Sequence, residues 1–197
     1  LNALVGTAMV RTVSLPTYAA AEEIAVETAP GVISATDELL WADDPERAAT
    51  LNIARHLDDI LSATVGPDPW PFAGLPDVAI DVRVSQMLAG TDGVFRLNGQ
   101  YYVGGDGIDF RDTSDTFAIA VTLAGEGPSA VAAAQSQAIL QLVDIVFAGH
   151  EDAGFQTDSH HRAFKSNLPG RVDLWPVVEK IQDDDDRMWT DPIDRPS

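Results

Sequence analysis

The chain has 197 residues, 45% of them hydrophobic, which suits one domain with a substantial core, followed by a tail. Acidic residues number 31 and basic ones 12, a formal net charge of −19 that argues against nucleic acid as a partner and against electrostatic docking on an anionic membrane. It has no cysteine, so disulfide and thiolate chemistry are excluded.

No stretch reads as a membrane span, and no signal peptide is visible. The chain opens on Leu1, so a leader removed beforehand is compatible with it. Met9 to Leu15 is rich in β-branched residues, stops at Pro16 and reads as a strand. Tyr18 to Glu23 is a weak helical stub, and Ile24 to Thr28 a second strand. After the turn Ala29-Pro30-Gly31, Val32–Ser34 and Glu38–Leu40 read as short returning strands. Asp44 as N-cap and Pro45 at the first helical position open a helix that runs to about Thr64. Leu51, Ala54, Leu57 and Leu61 form its apolar stripe, and Gly66-Pro67 ends it. A proline-rich loop carrying Trp70 and Phe72 follows.

Val78, Ile80, Val82 and Val84 alternate with polar or small residues, the clearest strand of the chain. Gly90-Thr91-Asp92-Gly93 turns it into a partner bearing Phe95, Leu97, Tyr101 and Val103 on one face. A third strand carries Phe117, Ile119, Val121 and Leu123. Its opposite face, Thr116, Ala118, Ala120 and Thr122, is small enough to lie under a helix. Gly127-Pro128 opens a second helix, with Val131, Ala134, Ala138, Leu142 and Ile145 as its stripe and Gly149 as its stop. The order predicts an α/β (α+β) two-layer sandwich: one mixed or antiparallel sheet with two helices on one face. Residues 1–149 form this domain, and 150–197 an acidic, largely irregular tail.

Reactive constellations are scarce. His150, His160 and His161 lie near acids, without the i, i+4 spacing of a helical metal site. Asp183 to Asp186 lacks the alternation and glycine of a calcium loop. Gly104-Gly105-Asp106-Gly107 lacks the lysine and helix of a phosphate loop. No G-x-S-x-G elbow occurs. No catalytic residue, cofactor site or metal ligand is therefore assigned. What stands out is aromatic: Pro16 and Tyr18 after the first strand, Trp41 before the first helix, Trp70 in the loop, and Trp175 and Trp189 in the tail. Each is a candidate interface residue. For Trp41 the competing reading is a staple at the helix entrance, and for the tail tryptophans it is packing back on their own domain.

These residues carry a resemblance. Val13, Leu15, Pro16 and Tyr18 are similar to a V-x-L/V-P-x-Y pattern. Leu40, Trp41, Ala42 and Pro45 are similar to a W-A-x-x-P/L pattern leading into a helix. Ile80-Asp81-Val82-Arg83-Val84 looks like a D-V-x-V strand, and Gly93, Leu97, Gly99 and Tyr101 like G-x-x-x-L-x-G-x-Y/W. With the Ala- and Gln-rich helix from Ala130 to Ala148, the chain resembles the PqiC-like family of ABC-type transport auxiliary lipoproteins over about residues 9–148. The resemblance implies a non-enzymatic periplasmic subunit, held at the inner leaflet of the outer membrane by a lipidated N-terminal cysteine that this chain lacks. It implies partnership with MCE-domain and membrane subunits that move lipids between the bacterial membranes, and homo-oligomeric assembly. From another class stands the expectation of a periplasmic binding module, carrying a small apolar ligand between sheet and helices.

Overall fold

A computed structural model describes residues 5–105, 110–148 and 177–179. Strand β1 (Thr7–Val10) is followed by a single helical turn, α1 (Thr17–Ala20). The hairpin β2 (Glu23–Ala29) and β3 (Val32–Trp41) turns at Gly31, whose φ of 76° lies in the left-handed region that glycine reaches without strain. Val32 to Leu40 is thus part of one continuous strand, whose register against β2 shifts at two bulges.

Helix α2 (Pro45–Ile60) begins as its sequence dictates: the Asp44 carboxylate accepts from Arg47 N at 2.7 Å, and Pro45 fills the first position. It ends earlier than periodicity suggests. The carboxylate of Asp58 accepts from Val65 N at 2.8 Å and turns the chain, and Thr64–Pro67 becomes strand β4, parallel to β1. Of the expected stripe, Ala54, Leu57 and Leu61 are buried, and the stripe departs from expectation at Leu51. Ala49 and Ile53 are buried as well, whereas Leu51 is exposed.

β5 (Val78–Ala89), β6 (Val94–Gly105) and β7 (Thr113–Thr122) form an antiparallel meander. β6 follows β5 along its whole length, with a bulge between Val84 and Gln86. The other edge of β5 is shared in succession. β1 pairs with Val78–Ile80, Ser14 bridges Arg83, and β2 touches Ala89 through Val26. Outside these lie β4 on β1 and β3 on β2, and β8 (Val177–Glu179) pairs antiparallel with β3. That short strand falls within the segment expected to be irregular. The rest of the segment lies outside the described residues, with His150, His160, His161 and the acidic run.

Helix α3 (Pro128–Ala148) closes the core. By length and composition it could cross a membrane, but Val131, Ala134, Ala138 and Leu142 are buried in the same cluster as Phe95, Leu97, Phe117 and Ile119. Both long helices cover one face of the mixed sheet, as the order of elements predicts. The choice of inward residues on β7 is the reverse of one expectation. The large side chains Phe117, Ile119 and Val121 meet the helix, while Ala118 and Ala120 face outward. Size decides this: only the bulky row fills the space between sheet and helix to normal packing density.

Candidate functional site

The signature residues come together at one corner. Pro16 is half-buried, and its carbonyl accepts from Ala19 N at 2.8 Å and Ala20 N at 2.9 Å, which builds α1. Beyond Ser14 the chain leaves β5, so the edge there needs another acceptor. Tyr18 supplies it: its hydroxyl oxygen accepts from Met87 N at 3.2 Å. Trp41, at the end of β3, is 9% exposed and lines a cleft with Tyr18, Met87, Phe95, Val131 and Gln135. The cleft volume is about 10 Å³, the space of one water. Gln135 is buried there, and its Nε2 meets no hydrogen-bond acceptor. This cleft between sheet and helices is far below the several hundred Å³ a carried ligand would need.

The other motif positions are also accounted for by packing. Gly93 takes φ 72° in the hairpin turn. Gly99 faces inward opposite Phe117, and a Cβ there would lie 2.3 Å from the Arg83 carbonyl oxygen and 2.7 Å from Phe117 Cζ. The strand bulge and the aromatic ring both require glycine. Tyr101 is buried, and burial, with a smaller contribution from Asp115, raises its hydroxyl pKa above the usual value of 10.

The remaining aromatic candidate, Trp70, sits on the opposite side of the sheet. Its ring packs 3.0 Å from where a Cβ of Gly66 would stand. Gly66 pairs with Met9, an outward residue between buried Ala8 and Val10, so Trp70 covers the helix-free face. It meets Phe72 edge to face, with centroids 5.0 Å apart, and its Nε1 is buried without an acceptor. Both ends of the loop are pinned. Asp68 N donates to Val10 O at 2.8 Å, Thr12 Oγ1 donates to Asp68, and Asp77 Oδ2 accepts from Gly6 N and Thr7 N, each at 2.9 Å. Trp175 and Trp189 lie outside the described residues.

Beside this loop a groove of about 600 Å³ runs over the outer face, lined by Met9, Arg11, Leu75, Pro76, Ala79, Asp81, Arg83, Tyr102 and Asp112, among others. Sequence reading overlooked it because its walls come from the β1, β5 and β6 region and from a loop, each contributing one or two unremarkable positions. Arg83 is held there by Asp81 through bonds of 3.1 and 2.9 Å, and its Cζ lies 5.1 Å from the Tyr102 ring centroid. The hydrogen bond and charge of Asp81 raise its pKa above the ordinary guanidinium value. Among the described residues, no group of three or more metal-ligating side chains occurs.

Comparison with known proteins agrees with this architecture. The fold is similar to that of a solved structure described as an uncharacterized protein. That structure is 16% identical, with a TM-score of 0.59 and coverage of 74% of this chain and 92% of that one. Protein XCC0632 from Xanthomonas campestris, of the DUF330 family model, is 18% identical with the same TM-score, covering 77% and 89%. Comparison with curated proteins finds no match. The model of the ABC-type transport auxiliary lipoprotein component matches residues 4–146, and the chain belongs to that family. The family is an auxiliary part of a transport system, which implies contact with transporter subunits and an envelope location.

Proposed function

We propose that the protein is a non-enzymatic adaptor of an MCE-type lipid transporter, working in the periplasm near the outer membrane. In this reading a lipidated N-terminal cysteine in the full-length form anchors it. Its partners are MCE-domain and membrane-embedded subunits, and it assembles with copies of itself. Residues 1–149 are the working domain, and the tail, with Trp175 and Trp189, adds contacts. The observation that carries the reading is the division of labour between the two sheet faces. The signature residues Tyr18, Trp41, Gly99 and Tyr101 build the core side, so the helix-free face is left to meet other subunits.

The test is co-purification of the full-length protein, tagged, from detergent-solubilised envelopes. The reading predicts recovery of an ATPase, a permease and an MCE-domain subunit, and an envelope lipid-transport defect on deletion of the gene. Isolation free of all transporter subunits, or a purified protein that turns over a substrate alone, would contradict it.

A further inference from the structure

We infer that the outer-face groove docks a protein segment from another subunit, one that presents an apolar side chain beside a carboxylate. The inference rests on the functional reading above and names the surface and the partner chemistry. Three features of the groove point to this occupant.

The first is exposed apolar surface that does not bury itself. Leu75 is 82% exposed and Phe72 50%, and both project from the loop that walls the groove. Met9, Pro76, Ala79 and Tyr102 continue the apolar surface across the floor. A small amphiphile needs enclosure over most of its surface, whereas a protein partner fits a knob beside an open groove.

The second is charge. Asp81 already receives two hydrogen bonds from Arg83, and Asp112 accepts from Gly105 N at 3.2 Å. Arg47, Arg83 and Arg96 each lie against a carboxylate, whereas Arg11 has no side-chain partner among the described residues. Arg111 is likewise without an ion pair among the described residues, but of the two only Arg11 lines the groove. A guanidinium at the edge of an apolar groove selects a carboxylate, which it holds through two parallel hydrogen bonds. Asp112 stands beside Gly105 at the end of β6, across β5 from the β1 edge that carries Arg11, and restricts the acidic group of the partner to the Arg11 end.

The third is pre-organisation. The loop is tethered at Asp68 and Asp77, stiffened by Pro69, Pro71 and Pro76, and supported by the Trp70–Phe72 contact. A surface already fixed in its binding shape loses little entropy on docking.

The test is site-specific photocrosslinking in cells that carry the whole transporter, with benzoylphenylalanine replacing Leu75, Tyr102 or, on the far side, Arg55. The crosslinked peptide is then identified by mass spectrometry. The inference expects crosslinks from Leu75 and Tyr102 to one segment of a transporter subunit with an apolar residue next to Asp or Glu, and none to it from Arg55. A synthetic peptide of that segment binds the full chain, and Arg11→Glu or Leu75→Asp weakens binding about ten-fold or more with melting unchanged. Crosslinks only to a second copy of this chain, only to lipid, or to none would overturn the groove assignment. If Arg55 captures transporter subunits while Leu75 and Tyr102 do not, the groove is wrong and the functional reading stands. If no position captures one, that reading fails as well.

Discussion

Val13 N donates to Thr50 Oγ1 at 2.9 Å inside the core, and the same hydroxyl donates to Glu46 O at 2.6 Å. Replacing Thr50 by valine keeps the shape and leaves the Val13 N–H buried without an acceptor. The expected cost is about 1–3 kcal/mol, read by urea denaturation. Gly99→Ala meets the Arg83 carbonyl, a backbone atom that cannot step aside, so it destabilises more than an ordinary strand glycine replacement. Asp92 supplies a pH dependence. The Arg96 guanidinium bonds it, and Val94 N donates to it at 3.2 Å, which lowers its pKa from 3.8 to about 2. A depressed acid stabilises the fold above its unfolded pKa and loses that contribution as pH falls through the folded value. The melting difference between wild type and Asp92→Asn should therefore be constant above about pH 5 and disappear between pH 4 and pH 2. These single-residue effects were partly legible beforehand. Gly93 and Gly99 stood in a recognisable pattern, but the reason for Gly99 needed the strand bulge and the ring of Phe117, which only pairing register supplies.

At the level of elements, alternation and capping were read correctly where they are local. The Asp44-Pro45 helix start and the β5–β6 hairpin depend on neighbours in sequence. β4 was missed because its four residues sit directly behind a helix, and its strand character comes from pairing with β1 and from the Asp58 side chain. The inward face of β7 was likewise undecidable from the strand alone, since both rows are apolar or small. The weak stub after Pro16 proved to be a working element. α1 carries the chain off β5 and lets Tyr18 take over Met87 N. Tyr18→Phe should leave that amide unpaired and speed its hydrogen exchange, with a stability loss of about 1 kcal/mol. Leu142→Ala, in the centre of α3, should cost about 2–5 kcal/mol by equilibrium unfolding, because its site is 1% exposed.

The whole molecule joins a packed side, formed by both long helices on the sheet, to a bare side with a pinned, aromatic loop. The family signature lies almost wholly on the packed side, so a sequence pattern identified the fold and left the outer groove unmarked. The strong negative charge set the partner class only by exclusion. The distribution of charge is more telling, because Arg11 lines the outer groove without an ion pair, whereas Arg47, Arg83 and Arg96 are each paired locally.

Hydrogen–deuterium exchange of the protein alone and within its purified transporter complex tests most directly whether the bare side is the working side. The account predicts slowed exchange on complex formation at residues 72–83 and 100–105, with the amides of α2 and α3 unchanged. Protection confined to the two helices, or no protection anywhere in the domain, would contradict it.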